Sequence, residues 1–144
     1  MSLYDTRFFF EHYYSSDEET LRRTRAKLRR RDRKYVSSVT IHEVYKLTLE
    51  KEGREVAKLR VSLIEKDFEV VPVDAELAKL SAELRHRYRV PMADSIIAAI
   101  TRLLNLICVT MRLTSSMRGI IELWYFYLSW PWCFKIFLDN FAGY

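Results

Sequence analysis

The chain has 144 residues, enough to bury the core of a single domain without disulfide bridges, and we predict one domain over residues 1–144. Its two cysteines do not have the spacing of zinc ligands, and Cys108 is expected to be a free thiol, as in a reducing compartment. The net charge of +5 suits a polyanionic partner if the positive charge is gathered on one surface. The first residues lack the basic and apolar segments of a secretion signal, so we expect a cytoplasmic protein.

The first part of the chain is predicted to contain a strand and a basic helix. The strand falls within residues 2–10, ends near Asp5 and is followed by a polar turn. Ser16 and Glu19 form a capping box, which predicts a helix from there to about Arg33. Residues 22–34 contain nine Arg or Lys and one acid. A solvated helix face would explain this charge, and so would a nucleic-acid-binding surface formed by Arg22, Arg23, Arg25, Lys27, Arg29 and Arg30.

The middle of the chain alternates between short apolar segments and helical patterns. "KYVSSV" is predicted to be extended, and Thr40 with Glu43 forms a second capping box for a helix that ends at Gly53. A third helix is predicted from Arg54 to about Lys66, and "FEVVPVD" is predicted to be a strand.

The next elements follow the same alternation. Asp74 is expected to cap the helix "AELAKLSAELRHRY", and Pro91 separates it from the helix that starts at "MADSIIAAITRLLN". "LICVT" is predicted to be an apolar strand. Together these elements predict an α/β fold with a mostly parallel central sheet.

Three acids stand at element ends inside apolar sequence: Asp5, Glu43 and Asp94. In parallel sheets, sites form beyond the carboxyl ends of the strands, and a group of carboxylates there suits Mg²⁺ or Mn²⁺ with a phosphodiester substrate. Each acid also has a simpler explanation to consider. Glu43 completes a capping box, and Asp94 complements the dipole at the start of a helix. Asp5 caps no predicted helix, which makes it the hardest of the three to explain structurally.

Several segments in order resemble a PIN domain of the archaeal VapC type, the toxin ribonucleases of toxin–antitoxin pairs. They are "YDT", "VSSVTIHEVYKL", "GREVAKLR", "FEVVPVDAELAKLSAELRHRY" and "VPMADSIIAAI", and the resemblance runs from about residue 3 to residue 110. The resemblance implies a PIN-like three-layer α/β sandwich and a Mg²⁺- or Mn²⁺-dependent endoribonuclease. It also implies an RNA substrate, a cognate antitoxin and often a homodimer.

The resemblance also assigns roles to individual residues. It implies that Asp5, Glu43 and Asp94 are the catalytic metal ligands. Thr6 and Ser95 would be polar neighbours that orient carboxylates or a water molecule. Thr110, at the end of the last predicted strand, is a further supporting candidate.

The last 34 residues depart from this pattern. Residues 111–144 contain ten of the 20 aromatic residues and only five charged ones, and Met111 stands where the family has a fourth acid. A shifted reading frame would explain the change, and so would a divergent tail. Its apolar stretches are shorter than the roughly 20 residues of a membrane helix, so we expect no membrane span.

The leading hypothesis is a VapC-like endoribonuclease. The alternative is a catalytically weak or inactive PIN domain that binds RNA or an antitoxin, because Met111 leaves the metal site without one acid. A purely structural helical protein would leave Asp5 unexplained.

Overall fold

The computed structural model describes residues 1–109, which lie within one compact unit, Met1–Arg112. The predictions about Thr110, Met111 and the tail of residues 111–144 fall outside the described residues. The prediction of a single domain over the whole chain therefore stays a prediction.

Four parallel strands form the sheet of the described residues, in the order β3-β2-β1-β4. They are β1 Ser2–Tyr4, β2 Lys34–Ser37, β3 Glu69–Val71 and β4 Ile107–Val109. Tyr4 lies opposite Val36 on one side and Val109 on the other, so the carboxyl ends of β1, β2 and β4 lie along one edge. The predicted α/β fold with a mostly parallel central sheet is confirmed.

Helices connect the strands. In the described part of the chain they are α1 Thr6–Tyr14, α2 Glu18–Leu28, α3 Ser38–Glu52, α4 Arg54–Asp67, α5 Ala75–Tyr88 and α6 Met92–Leu104. Gly53 ends α3 with φ 89°, and the side chain of Asp74 accepts a hydrogen bond from Leu77 N at 2.8 Å, as the sequence predicts. Pro91 lies directly before α6, also as predicted.

The first helix, α1, was not predicted. The expectation of a strand within residues 2–10 followed by a polar turn is wrong beyond Tyr4, because α1 begins at Thr6. The aromatic residues of "TRFFFEHYY" follow a helical spacing, with Phe9 and Tyr13 stacked four residues apart. Phe8 and Phe9 are fully buried, which ties the new helix to the core.

Two predicted helix starts are also corrected. Asp17 caps α2, since its carboxylate accepts from Thr20 N at 2.9 Å, and the helix ends at Leu28 rather than Arg33. Ser37 caps α3 by accepting from Val39 N at 3.1 Å. Thr40 therefore lies inside the helix, and its buried hydroxyl has no hydrogen-bond partner in the described structure. The capping-box explanation of Glu43 is wrong.

An aromatic core lies between the sheet and the helices that follow β1 and β2. It contains Tyr4, Phe8, Phe9, Val36, Val44, Ile64 and Phe68. The ring of Tyr4 contacts Phe8 and Phe68 edge-on, at centroid distances of 4.7 and 5.1 Å. Edge-to-face pairs of this kind add to the stability that burial provides. The core thus fixes the start of α1 against the end of β1.

A cluster around Arg60 joins α1, α3 and α4. The guanidinium lies 4.3 Å from the ring centre of Tyr13 and donates a hydrogen bond of 2.7 Å to the hydroxyl of Tyr14. It also pairs with Glu52 at 2.6 Å. The side chain of Arg60 is only 17% exposed, so this contact is better protected from water than an ordinary surface ion pair.

Candidate functional site

The candidate site lies at the carboxyl ends of β1, β2 and β4. Asp5 directly follows β1, and its N–H donates to the carbonyl of Val109 in β4 at 3.4 Å. Glu43 lies in α3, which begins directly after β2, and Asp94 lies in the first turn of α6. The sheet edge, α3 and α6 thus supply one predicted acid each.

Asp5 has a structural role in this position. Its Oδ1 accepts a hydrogen bond from Phe8 N at 2.8 Å and so caps α1. The expectation that Asp5 caps no helix is corrected by the presence of α1. This hydrogen bond fixes the carboxyl group at the junction of β1 and α1, where a ligand of the predicted site would have to stand.

Glu43 is held by Thr6. The Thr6 hydroxyl donates a hydrogen bond to Oε2 of Glu43, across 37 positions of the chain. Both residues are partly buried. Thr6 therefore contacts one of the predicted carboxylates, and its role as an orienting neighbour stays a prediction. Because Thr6 follows Asp5 directly, the contact also brings α3 to the end of β1.

Asp94 and Glu43 lie close enough to repel each other. Burial raises the pKa of the Asp94 carboxyl, the negative charge of Glu43 raises it further, and Arg7 opposes both. Burial and a neighbouring like charge both disfavour the ionised carboxylate. Arg7 is a site neighbour that the sequence reasoning missed. Its position two residues after Asp5 is the only sequence signal that could have indicated it.

The charges of two of the acids influence the thiol of Cys108 in β4. Burial raises the pKa of its thiol, and the negative charges of Asp5 and Asp94 add to this effect. Cys108 is a free cysteine, as predicted, but it is only partly buried. Asp5 and Asp94 therefore both lie within electrostatic reach of this thiol.

Lys27 brings a positive charge to the site from α2. Burial lowers the pKa of its ammonium, Arg23 and Arg30 lower it further, and Asp5 and Cys108 oppose the shift. The Tyr4 hydroxyl donates to the backbone carbonyl of Lys27 at 3.2 Å, which fixes this part of α2 beside β1. Lys27 thus differs from the arginines with which the sequence groups it, because those are exposed: Arg22, Arg23, Arg25, Arg29 and Arg30.

The exposed basic residues lie on α2 and directly after it. Arg29 and Arg30 follow the helix, which ends at Leu28. Arg25 approaches Glu18 at 3.9 Å, and both side chains are largely exposed, so the pair neutralises little of the charge. The predicted basic surface therefore remains accessible to an anionic partner.

Ser95 has a different environment from the one expected. Its hydroxyl donates to the carbonyl of Met92 at 2.7 Å, and the hydroxyl of Ser81 lies 2.8 Å away. Because the single hydroxyl proton of Ser95 is used in the first bond, Ser81 is the donor in the second. Both serines are buried between α5 and α6. Ser95 therefore joins two helices, and orienting a carboxylate is not its visible contact.

The donors at the sheet edge fit a hard divalent cation in their chemistry. They are carboxylate oxygens, and the repulsion between Glu43 and Asp94 would fall with a cation between them. Over residues 1–109, however, no three acidic, histidine or cysteine side chains come close enough together to hold a metal ion. In the described residues, the carboxylates of Glu43 and Asp94 thus influence each other, but three acids do not come together around one point.

No helix within residues 1–109 is both long and apolar enough to cross a membrane.

Comparison with known proteins identifies the family and the fold. A model of the PIN domain matches residues 3–111. No curated protein matches the chain. Similar solved structures include VapC20 of Mycobacterium tuberculosis, a sarcin–ricin loop cleaving toxin, with 16% identity and a TM-score of 0.68 over 83% of this chain and 94% of that one.

Two further structures have the same fold. FitAcB of Neisseria gonorrhoeae is 22% identical, with a TM-score of 0.67 over 83% of this chain and 93% of that one. VapBC2 of Rickettsia felis, bound to a DNA fragment from its promoter, is 14% identical, with a TM-score of 0.65 over 81% and 91%. The expected PIN-like three-layer α/β sandwich is confirmed. Because the PIN model matches more than 100 of the 144 residues, the chain belongs to the PIN domain family.

Proposed function

We propose that this protein is a divalent-metal-dependent endoribonuclease, the toxin of a VapBC-type toxin–antitoxin pair. Membership of the PIN family supports a nuclease. The observation that carries the proposal is that the Thr6 hydroxyl holds Glu43 at the end of β1, where Asp5 caps α1, with Asp94 within electrostatic reach of Glu43. Carboxylates that repel one another raise the free energy of the folded protein, and a cation bound between them would reduce this repulsion.

Asp5, Glu43 and Asp94 would hold Mg²⁺ or Mn²⁺ in this proposal. When bound, such an ion lowers the pKa of a water molecule and stabilises the charge that develops on a phosphodiester. The chain's own contribution is to position the donors. Phe8 N fixes Asp5, and the Thr6 hydroxyl fixes Glu43.

Nearby cationic side chains would attract the anionic RNA to this acidic edge of the sheet. Arg7 interacts with Asp94, and Lys27 interacts with Asp5, so each lies within electrostatic reach of a proposed ligand. An RNA phosphate that approaches the carboxylates would otherwise be repelled. We propose that the exposed arginines of α2 and the segment after it extend this attraction to neighbouring phosphates: Arg22, Arg23, Arg25, Arg29 and Arg30.

The proposed partners are RNA as substrate and a cognate antitoxin as inhibitor. The antitoxin proposal is supported by the similar fold of VapBC2. A homodimer is the proposed assembly. Thr110 keeps its proposed supporting role, although it lies outside the described residues.

One observation favours the second candidate function, a weak or inactive PIN domain that binds RNA or an antitoxin. Within residues 1–109, no three potential metal ligands lie close enough together to hold a metal ion. With Met111 in place of an acid, such a protein would bind its partner without efficient cleavage.

A cleavage assay on the full chain separates the two functions. A pool of labelled RNAs is incubated with Mg²⁺, with Mn²⁺ or with a chelator, and the wild type is compared with Asp94→Asn and Glu43→Gln. Glu65→Gln is the matched control, because Glu65 is an exposed acid of α4 without an ion pair among the described residues. We expect metal-dependent cleavage that only the site variants abolish. Absence of cleavage with retained RNA binding would support the inactive domain instead.

A further inference from the structure

A second basic surface lies at the end of α5. It consists of Arg85, His86, Arg87 and Arg89, which we call the α5 cluster, and all four residues are exposed. Together with Ala82 they line one surface depression. The small side chain of Ala82 leaves this space open. The cations are therefore gathered at one place on the surface.

The charges of the α5 cluster are not neutralised by the described residues. Glu83 stands four residues before Arg87, a spacing that favours an ion pair on a helix, but Arg87 lies over the ring of Tyr88 at 5.5 Å instead. Three lysines outside the cluster, one each in α3, α4 and the first half of α5, pair with a glutamate three or four residues away: Lys46, Lys58 and Lys79. Unlike these lysines, the arginines of the α5 cluster keep a positive charge that is unpaired among the described residues.

The helix dipole explains only part of this cluster. Cations in the last turn interact favourably with the carbonyl end of a helix, and Arg85 and Arg87 stand there. Arg89 lies beyond the helix in the left-handed conformation, with φ 53°, and its N–H donates to the carbonyl of Arg85 at 2.8 Å. Glycine is favoured at such a position because a Cβ is crowded there. The backbone thus gives no reason for an arginine at position 89.

The α5 cluster lies close to the proposed catalytic edge along the chain. Arg89 and Asp94 are five positions apart in the chain, so their Cα atoms are at most about 18 Å apart. The connection between α5 and α6 is short, and the two helices pack through Ser81 and Ser95. A nucleic-acid strand held at Asp94 can therefore reach the α5 cluster within a few nucleotides.

We propose that the α5 cluster binds phosphates of the single-stranded RNA that flanks the phosphodiester held at the acids, an inference that rests on the proposed function. Planar guanidinium groups pair with phosphate through two parallel hydrogen bonds, which suits the arginines of the cluster. The ring of Tyr88 lies beside them and contacts the guanidinium of Arg87 at 5.5 Å. The cluster and the arginines after α2 would then hold different parts of one substrate strand.

The test measures how RNA binding depends on salt. A labelled single-stranded RNA is titrated with full-length protein carrying Asp94→Asn, which prevents cleavage, at several salt concentrations. The test variant adds Arg85→Gln, Arg87→Gln and Arg89→Gly, and the matched control adds Lys46→Gln, Lys58→Gln and Lys79→Gln. Both triple variants lose three positive charges, but only the control charges are paired with glutamates.

Each neutralised phosphate contributes about −0.7 to the slope of log affinity against log salt for a single strand. We therefore expect the α5 variant to flatten the slope by about 2 and the control to leave it unchanged. Arg89→Gly alone should flatten it by about 0.7 without lowering the melting temperature, which excludes loss of fold as the cause. Equal slopes for both triple variants would overturn the proposal. So would a change seen with double-stranded DNA but absent with RNA.

The outcome is distinguishable from failure of the proposed function. If the wild type cleaves RNA and the α5 variant keeps the full slope, the nuclease stands and this inference fails. If the wild type cleaves no RNA but the α5 variant flattens the slope, the surface binds RNA and the proposed enzymatic function fails.

Discussion

Asp5 combines a structural role with a proposed catalytic one, and two substitutions separate them. Its carboxylate accepts a hydrogen bond of 2.8 Å from Phe8 N and so caps α1, the helix in which Phe8 and Phe9 are fully buried. Asn caps helices about as well as Asp, whereas Ala removes the acceptor at a cost of about 1 kcal/mol. We therefore expect Asp5→Ala to destabilise the metal-free protein by about 1 kcal/mol and Asp5→Asn to leave its stability nearly unchanged.

The two variants should behave alike towards metal. Both remove a charged ligand, so both should lose the stabilisation that a cation gives the wild type. That stabilisation is about 1.4 kcal/mol when the metal concentration is ten times its dissociation constant. Thermal unfolding followed by circular dichroism, with and without Mg²⁺, measures both effects. A loss of 1 kcal/mol corresponds to a shift of a few degrees in a domain of this size.

Two outcomes would refute this reasoning. If Asp5→Asn destabilises the metal-free protein as much as Asp5→Ala does, the charge of Asp5 stabilises the fold, through Lys27 for example, and the capping bond does not dominate. If Asp5→Asn keeps the full stabilisation by Mg²⁺, Asp5 is not a metal ligand. Asp17→Ala, which removes the cap at the exposed start of α2, controls for general effects of helix-cap mutations.

Three further predictions follow from other contacts. Asp94→Asn should stabilise the metal-free protein increasingly as the pH rises above 3.8, because folding raises the pKa of Asp94 and the wild-type protein loses stability as this carboxyl ionises. Urea unfolding measures the difference in stability between the two proteins, and a difference that shrinks towards neutral pH would contradict this prediction. Met111→Asp, outside the described residues, should raise metal affinity or cleavage; a metal titration without any gain would mean that the other acids suffice. Arg60→Ala should cost about 1–2 kcal/mol through lost ring and hydrogen-bond contacts, and Arg60→Lys should recover little of it, because Lys lacks the planar fork; full recovery in chemical denaturation would indicate that charge alone matters.

The order of the elements was predictable because hydrophobic spacing and capping residues are local signals. Gly53 and Asp74 mark helix ends through their own backbone or side chain, and the structure confirms both. The helix α1 was missed because "FFF" is compatible with a strand. The helix is favoured by the hydrogen bond that Phe8 N donates to the Asp5 carboxylate and by the burial of the Phe8 and Phe9 rings.

The site was predicted from residue types, and its contacts were less predictable. Asp5 and Asp94 stand at element ends as expected, Glu43 lies inside α3, and the role of all three acids stays a prediction. The partner of Glu43 was not predictable, because Thr6 is 37 positions away and the capping box with Thr40 gave a sufficient local explanation. The approach of Lys27 to Asp5 depends on how α2 packs beside β1, which no local pattern encodes.

The thiol of Cys108 can serve as a built-in reporter of charge at the sheet edge. Cys108 lies in β4 opposite Leu3 of β1, and the negative charges of Asp5 and Asp94 help to keep its thiol protonated. A cation that neutralises these acids would lower the pKa of the thiol and increase its reactive thiolate fraction. In a Cys133→Ser background, alkylation of Cys108 should therefore accelerate as the acids bind metal, and Asp94→Asn should accelerate it without any metal. Occupancy could then be followed by mass spectrometry even in a variant that cleaves no RNA.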